Sequence, residues 1–219
     1  MSELPHQPLV SIDTVPVLVR DGAVHVVLAR RAVDPFAGRE ALPGVLLLAN
    51  ERLAEAAGRA LTTKTGAEGT DIRVLRQVGV FDDFDRDPRG PTLSILHLAV
   101  LGPDTAVDDE LAAVVPIGEP TGLPFDHDTM IAAAAGALLD TGLMTDLPTT
   151  RALVGAVFST ADVVRLVTDL AAAAGRDVPY TKNLARDLRA LPGVIPAEGS
   201  RSAVKGGRGA PARAWTWAD

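Results

Sequence analysis

Two apolar stretches near the start of the chain have the pattern of paired strands. Residues 10–19 and 24–29 are rich in valine and leucine, and Asp21 and Gly22 lie between them. β-branched residues favour strands, and an Asp-Gly pair suits a tight hairpin turn. We therefore predict a β-hairpin. Because Pro16 has no N–H to donate to a sheet ladder, we expect the first strand to lie at a sheet edge or to carry a bulge.

The next pattern along the chain is a helical spacing of apolar residues. Apolar side chains recur at this spacing over residues 53–61, which predicts an amphipathic helix that Gly66 ends. Strands are predicted at residues 72–80 and 92–101. A helix from about residue 128 to 139 follows the candidate caps Asp126 and Asp128. Strands and helices in this order indicate a layered α/β architecture.

Two helices joined by a turn are predicted after residue 158. Ser159 and Asp162 form a capping box ahead of an apolar stripe over residues 163–170. Gly175 can make the turn, and Pro179 suits the first turn of the second helix. Residues 191–193, Leu-Pro-Gly, end that helix.

The second helix carries a basic stripe opposite its apolar face. Lys182, Arg186 and Arg189 recur away from the leucines at 184, 188 and 191. Two helices with a short turn are what a helix-turn-helix needs, with the second helix presenting its polar face to the major groove. The candidate DNA-contacting residues here are Thr181, Lys182, Asn183, Arg186 and Arg189.

The tail over residues 195–217 predicts a hairpin with a basic, glycine-rich tip. Trp215 and Trp217 are two residues apart, so they share one face of the closing strand. Positive side chains at the tip would neutralise DNA phosphates, and the candidates are Arg201, Lys205, Arg208 and Arg213. The alternative is a flexible tail with incidental charge.

Composition narrows the class of protein. Hydrophobic residues make up 47% of the 219 positions, yet there is no run of 18 apolar residues, so no membrane span is expected. Residues 1–6 lack the pattern of a secretory signal, and there are no cysteines, which fits a cytoplasmic protein without disulfides. The four histidines are scattered, which argues against a histidine metal cluster.

Charge divides the chain in two. Residues 1–149 hold 11 Lys+Arg and 22 Asp+Glu, a net charge of −11, whereas residues 150–219 hold 10 and 6, a net charge of +4. Residues 142–150 are polar and contain Pro148, as a junction would be. We predict an effector-sensing domain over residues 1–148 and a DNA-binding domain over residues 149–219.

Residues 44–66 resemble the Nudix box, a loop and helix that hydrolyse diphosphates. Glu51, Arg59, Leu61 and Gly66 fall into register with that pattern, and residues 42–44 resemble its usual approach. Residues 81–90 and 123–128 resemble segments of Nudix-related transcriptional regulators of NAD metabolism and of their ADP-ribose-processing relatives. The resemblance implies an α/β fold, namely a Nudix-like α/β/α sandwich followed by a winged helix-turn-helix domain.

The metal-binding glutamates of the Nudix box are replaced. Their positions carry Ala60, Thr63 and Lys64, spaced so that they project from one helix face, and the leading glycine is Val45. Mg²⁺ prefers carboxylate or phosphate oxygens, which a methyl, a hydroxyl and an ammonium do not supply. We therefore predict that the chain is not an enzyme and has no catalytic residue, metal or cofactor.

The resemblance implies ADP-ribose or a related nucleotide as effector. Arg86 and Arg89 suit bidentate phosphate contacts, Lys64 can pair with a phosphate, and Phe81 can stack on a base. His127 is included as a ligand contact, although a capping role at the helix start is the favoured account. Alternatives remain: mutual pairing of the charges at residues 85–89, core packing of Phe81 and simple exposure of Lys64.

The expected function is a DNA-binding transcriptional repressor of NAD metabolism genes that senses this nucleotide. It would bind operator DNA as a homodimer, with no membrane partner. One alternative is a divergent Nudix hydrolase of a nucleoside diphosphate derivative that uses Glu51, Glu55, Asp82 or Asp83. Another is a scaffold whose basic domain binds a second protein.

Overall fold

A computed structural model describes residues 7–143, 145–179, 181–197 and 214–218. The strands are β1 (Leu9–Arg20), β2 (Ala23–Arg30), β3 (Glu40–Ala41), β4 (Gly44–Leu46), β5 (Ile72–Phe81), β6 (Thr92–Leu101), β7 (Ala112–Pro116), β8 (Val157–Ser159), β9 (Val194–Pro196) and β10 (Ala214–Trp217). The helices are α1 (Leu53–Thr65), α2 (His127–Ala137), α3 (Leu147–Val154), α4 (Thr160–Ala173) and α5 (Leu184–Ala190), with a 3-10 turn at Gly69–Asp71 and a π-helical turn at Leu138–Gly142.

The larger sheet has the order β3-β2-β1-β6-β5, with β4 also paired to β1 and β7 also paired to β2. The predicted hairpin is confirmed: β1 and β2 are antiparallel, and Asp21 and Gly22 both have positive φ angles, 52° and 74°. Strand β1 pairs in parallel with β6, which in turn pairs antiparallel with β5. The mixed sheet therefore places β1 at its centre.

The prediction that the strand containing Pro16 lies at an edge is wrong. On one side β1 pairs with β4 over residues 11–13 and with β2 over residues 17–20, so residues 14–16 fall in the gap between these neighbours. The backbone N–H of Thr14 points to this side, where it donates to Pro43 O at 2.9 Å. Because N–H directions repeat every second residue, the nitrogen of Pro16 faces the gap, where no ladder bond is required.

Helices cover both faces of the larger sheet. Helix α1 packs Ala56 and Ala57 against Ile12 on one face, and Gly66 ends α1 with φ 74°, as predicted. Helices α2 and α4 pack on the opposite face, where Met130 and Leu170 are fully buried. The result is a three-layered α/β arrangement, which agrees with the predicted fold class.

The C-terminal elements form a second, three-stranded sheet with α4 and α5 beside it. Its order is β8-β10-β9, and all pairs are antiparallel. The predicted capping box is present, since Ser159 N–H donates to Asp162 Oδ2 at 2.8 Å and Asp162 N–H donates to Ser159 Oγ at 3.1 Å. Helix α5 begins later than predicted, at Leu184, so Pro179 lies outside it and residues 182–183 form a turn.

One core continues from the larger sheet into the C-terminal elements. The cluster that contains Val26 of β2 also contains Leu170 of α4 and Trp215 of β10. The Val24 N–H donates to Asp169 Oδ2 of α4 at 3.0 Å. The predicted boundary between residues 148 and 149 falls inside α3, whose start is capped by Asp146. None of the described helices combines the length and apolar character needed to cross a bilayer.

Candidate functional site

A cleft of about 370 Å³ opens among the N-terminal half of β1, the β4 segment, the end of α1, the loop after β5 and the start of α2. Its charged lining is mainly cationic. The lining residues are Ser11, Asp13, Arg31, Val33, Leu42, Gly44, Val45, Leu46, Leu48, Arg59, Lys64, Arg86, Asp87, Arg89, Phe125 and His127. Five of them carry a guanidinium or ammonium group and two carry a carboxylate, so the cleft favours anionic ligands.

The buried carboxylate of Asp13 lies at the floor of the cleft. Ser94 Oγ donates to Asp13 Oδ2 at 2.6 Å, and Ser11 Oγ donates to the same oxygen at 3.1 Å. Gly44 is the register partner of Asp13, and a Cβ at Gly44 would lie 2.0 Å from Asp13 Oδ1. The absence of a side chain at Gly44 therefore lets the carboxylate sit against the β4 backbone.

Arg86 links the floor of the cleft to the start of α2. Its Nε and Nη2 donate to the two carboxylate oxygens of Asp126 at 3.0 and 2.6 Å, and Nη2 lies 3.7 Å from Asp13 Oδ2. Burial lowers the pKa of Arg86, but the hydrogen bond and charge of Asp126, with the charges of Asp13 and Asp87, outweigh it and the net shift is upward. Arg86 is therefore a buried residue that stays charged and connects Asp126 to Asp13.

His127 holds the approach to β4 rather than capping α2. Its Nδ1 accepts a hydrogen bond from the backbone N–H of Leu42 at 2.9 Å, and its Nε2 lies 3.9 Å from Asp13 Oδ1. Burial lowers the pKa of His127, an effect only partly opposed by the charges of Asp13 and Asp126. A neutral ring with its proton on Nε2 satisfies both contacts.

The Phe125 ring lines the cleft, and Phe36 packs against it. Phe36 and Phe125 meet edge to face with centroids 5.3 Å apart, and the Arg31 guanidinium lies over the Phe125 ring at 4.8 Å. Both phenylalanines have left-handed backbone conformations, with φ angles of 66° and 61°. This conformation is unfavourable for a bulky residue and tends to persist at ligand sites.

Arg89 and Asp87 form a pair at the mouth of the cleft. Arg89 Nε donates to Asp87 Oδ1 at 3.0 Å, and Nη2 donates to Oδ2 at 2.7 Å. The Arg89 guanidinium also lies 5.9 Å from the Phe125 ring centroid. Burial raises the pKa of Asp87, but the hydrogen bonds from Arg89, with the charges of Arg89 and Arg86, have the larger, opposite effect. The net pKa is lowered, so the carboxylate is ionised at neutral pH. The predicted mutual pairing holds for Arg89, whereas Arg86 pairs elsewhere.

Helix α1 contributes two cations of different character. Arg59 is engaged with Glu51 in a bidentate pair, with Nε–Oε1 2.6 Å and Nη2–Oε2 2.7 Å. Lys64 is exposed and lines the cleft, and no ion pair is found for it among the described residues. Ala60 is fully buried, and Thr63 Oγ1 donates to Arg59 O at 2.7 Å. Only Lys64 of the three replaced positions therefore faces the cleft.

The donor groups of this cleft do not fit Mg²⁺, the ion for which the Nudix box is built. Of the lining carboxylates, Asp13 accepts from two serines and Asp87 is paired with Arg89. Over residues 7–143, 145–179, 181–197 and 214–218, no three acidic or histidine side chains are grouped to hold an ion. A divalent cation prefers several oxygen ligands, and here ammonium and guanidinium groups occupy the wall.

The four carboxylates considered for a hydrolase belong to no group of three that could hold a metal ion among the described residues. Glu51 is held by Arg59 and accepts from the Leu48 N–H at 3.0 Å, and Glu55 accepts from the Arg52 N–H at the start of α1. Asp82 and Asp83 are exposed in the loop after β5. None of these four residues lines the cleft.

Most of the predicted ligand residues come together, and one does not. Lys64, Arg86, Arg89 and His127 all line the cleft. Phe81 instead packs against the main core, as its alternative interpretation had it.

The lining residues that sequence reasoning did not name as ligand residues include Asp13, Arg31 and Phe125. For Asp13 a signal was available, since an acidic residue inside an otherwise apolar strand is rarely buried without partners.

The predicted DNA-contacting residues are only partly described. Lys182, Asn183, Arg186 and Arg189 are exposed, and Thr181 is half-buried. Lys182 and Asn183 precede α5 rather than lying in it, and the Arg189 guanidinium lies 5.8 Å from the Trp215 ring centroid. The other four candidates, Arg201, Lys205, Arg208 and Arg213, lie outside the described residues.

The chain is similar in sequence to a known domain family and to a known enzyme. The NUDIX domain family profile matches residues 10–134. The ADP-ribose pyrophosphatase of Methanocaldococcus jannaschii is 32% identical over 123 residues, which span 53% of this chain and 71% of that protein.

Two solved structures extend the likeness over most of the chain. Shewanella oneidensis NrtR has a TM-score of 0.69 and 22% identity, covering 95% of this chain and 94% of NrtR. NrtR is also solved with a 27mer DNA, and its NUDIX domain with ADP ribose. A MutT/nudix family protein from Enterococcus faecalis has a TM-score of 0.68 and 20% identity, covering 99% of this chain and 89% of that protein.

The prediction that the chain is not an enzyme is wrong in the light of these comparisons. The relative at 32% identity is an ADP-ribose pyrophosphatase, which points to an enzyme. The prediction weighed three positions of one helix, whereas the similarity extends over 123 residues. Replacement of Ala60, Thr63 and Lys64 alone therefore does not separate this chain from the hydrolases.

Proposed function

The chain belongs to the NUDIX domain family, and we propose that it is a transcriptional regulator whose cleft binds ADP-ribose or a related nucleotide and whose C-terminal elements bind operator DNA. The cleft carries the proposal, because five cationic side chains and the ring of Phe125, whose backbone is left-handed, line one space of about 370 Å³. Every lining residue falls within the family match at residues 10–134.

The cleft chemistry supports a nucleoside diphosphate ligand. Guanidinium groups bind phosphate oxygens through paired hydrogen bonds. Those of Arg31 and Arg89 lie 4.8 and 5.9 Å from the Phe125 ring centroid. An aromatic ring beside such cations suits a base and its attached phosphates. The volume is in the range of small-molecule sites, roughly 300–1,000 Å³.

The C-terminal elements support the DNA-binding part of the proposal. Helices α4 and α5 with the sheet β8-β10-β9 have the element order of a winged helix-turn-helix, with α5 as the recognition helix. Arg186 is exposed on α5 and pairs with Asp187 at 3.2 Å, a surface contact that it can exchange for a phosphate. The likeness to NrtR, at 22% identity, supports the fold of this region.

We propose that the regulator acts as a homodimer on a palindromic operator near genes of NAD metabolism. Helix α4 packs on β2, and Asp169 bonds the β2 backbone, so the DNA-binding elements rest directly on the sheet that carries Asp13. A ligand that binds the DNA-free arrangement more tightly would release the operator.

A gel-shift titration with the chain's own upstream DNA, with and without ADP-ribose, tests this function. We expect specific retardation that ADP-ribose weakens, together with a steep fall of affinity as salt rises. Arg186→Gln should weaken binding to specific and unrelated DNA alike and lower the salt slope by about one. Arg73→Gln, which removes an exposed charge from β5, should leave DNA binding unchanged. No binding to upstream DNA at low salt would contradict the proposal and favour a protein-binding scaffold.

A second candidate function is hydrolysis of ADP-ribose, favoured by the 32% identity to an ADP-ribose pyrophosphatase. Incubation of the purified chain with ADP-ribose and Mg²⁺, followed by chromatography of the nucleotides, measures it directly. Formation of AMP and ribose phosphate at a steady rate would support this activity. Intact ADP-ribose after prolonged incubation would count against it.

A further inference from the structure

The charges of the cleft divide into those already balanced by the protein and those that are not. Arg59, Arg86 and Arg89 each form a close pair with a carboxylate, of Glu51, Asp126 and Asp87 respectively. These three guanidinium groups are therefore largely neutralised before any ligand arrives.

Arg31 and Lys64 are the lining cations without a carboxylate within ion-pair distance among the described residues. Arg31 donates instead to backbone carbonyls, to Pro35 O at 2.7 Å from Nε and to Val33 O at 3.3 Å from Nη2. The Arg31 guanidinium has five N–H groups, so these two bonds leave donors for a ligand.

The electrostatic environment of Arg31 favours an anionic ligand beside it. Burial lowers the pKa of Arg31, and repulsion from Arg89 lowers it further, despite the opposing charges of Asp87 and Asp13. A phosphate placed in the cleft would offset both effects, because an opposite charge favours the protonated form.

Lys64 stands where the Nudix box would place an acidic metal ligand. Its ammonium has three donors and a long, adaptable stem, so it can approach a phosphate oxygen as a point charge. The same ammonium repels a divalent cation, and the nearest lining carboxylates are already engaged.

Resting on the proposed nucleotide-binding function, we infer that the cleft holds the diphosphate of its ligand without a divalent cation, with the Lys64 ammonium supplying the positive charge that a metal ion would bring. Arg31, which also lines the cleft, supplies the second charge. The recognised class is therefore a metal-free diphosphate diester, whose two negative charges match these two cations.

Calorimetric titration of the full chain with the α,β-methylene analogue of ADP-ribose tests the inference, because a CH₂ in place of the bridging oxygen prevents cleavage. The titration is run in excess EDTA and again in excess Mg²⁺. We expect dissociation constants that agree within about threefold between the two buffers. Lys64→Gln should weaken binding about tenfold in both, since a charged hydrogen bond is lost. Lys64→Arg should restore most of the affinity.

Arg73→Gln is the matched control, since it removes one exposed charge outside the cleft and should leave the affinity unchanged. Thermal unfolding checks that each variant is folded. Binding in Mg²⁺ but not in EDTA would overturn the inference and leave the proposed function standing. Absence of binding in both buffers would overturn both. A Lys64→Gln effect no larger than that of Arg73→Gln would remove Lys64 from this role.

Discussion

At the scale of single residues, the cleft depends on Asp13 and on the groups that hold its carboxylate. Two serine hydroxyls, the Arg86 guanidinium and the His127 ring surround it. A buried carboxylate is tolerated only when such partners replace its hydration. The organisation of the floor is therefore sensitive to changes of one or two atoms.

The first prediction concerns Gly44. Gly44→Ala would place a methyl group 2.0 Å from the present position of Asp13 Oδ1 and force the carboxylate off Ser94. We expect a loss of about 1–3 kcal/mol in the free energy of unfolding, measured by urea denaturation.

The matched control is Gly58→Ala in the interior of α1, where no atom lies within 4 Å of the added carbon. It should stabilise the protein by about 0.5–1 kcal/mol, because alanine is the better helix former. Equal effects of the two substitutions would show that Gly44 is not constrained by Asp13.

The second prediction concerns pH and His127. Burial lowers the pKa of His127 below its ordinary value of 6.5. As the pH falls through 6.5 the unfolded chain takes up a proton while the folded ring stays neutral, so stability present at pH 7.5 declines towards pH 5.5. The slope for one proton is at most about 1.4 kcal/mol per pH unit.

His127→Asn keeps an acceptor for the Leu42 N–H but cannot titrate in this range. Urea denaturation from pH 5.5 to 7.5 should show a shallower slope for this variant than for the unaltered chain. Some slope should remain, because burial also lowers the pKa of His97. Identical slopes would mean that His127 takes up a proton as readily in the folded state as in the unfolded state.

At the scale of elements, the helices end where local chemistry predicts, but their positions relative to the sites depend on packing. The α4 capping box and the Gly66 end of α1 are both present as predicted. Helix α5 is shorter than predicted because the chain turns at residues 182–183 before Leu184 packs into the core. Capping residues therefore predict where a helix starts or ends when only one residue in the sequence can act as the cap.

The third prediction tests the capping box of α4. Ser159→Ala removes the bond from the Asp162 N–H to Ser159 Oγ, and we expect a loss of about 1 kcal/mol. Thr168→Ala on the same helix removes only an exposed hydroxyl that bonds Val164 O, and it should be neutral or slightly stabilising. Thermal and urea denaturation of both variants distinguish a cap effect from a general loss of hydroxyl groups.

At the scale of the whole molecule, the sheet that carries the cleft and the elements proposed to bind DNA share one core. Trp215 is fully buried in the same cluster as Val26 and Met130. The continuous core means that a change at the cleft can reach α4 through packed side chains and the Asp169 bond.

The fourth prediction is that the chain unfolds in one cooperative transition. Both tryptophans lie in β10, so tryptophan fluorescence reports the C-terminal sheet, while far-UV circular dichroism reports all elements. We expect the two midpoints in urea to coincide. Separate midpoints would indicate two independently stable units.

Asp169→Ala should lower the free energy of unfolding by about 1–3 kcal/mol and move both midpoints down together, because the Val24 N–H loses its acceptor. Asp177→Ala removes an exposed carboxylate from the loop after α4 and should change stability by less than about 0.5 kcal/mol.

The sequence by itself determined the elements whose signals are local. The β1–β2 hairpin, the Gly66 end of α1, strand β6 and the capping box of α4 follow from turn residues, side-chain periodicity and caps. It also identified four cleft residues, because the family resemblance placed them in motifs.

Only the tertiary structure decided which of these residues share a site. The central position of β1 despite Pro16 depends on the gap between β2 and β4. The roles of Asp13 and Phe125 depend on segments brought together by folding. Local pattern carries no information on such long-range neighbours, since the same periodicity suits many packings, and burial and pairing are properties of the assembled core.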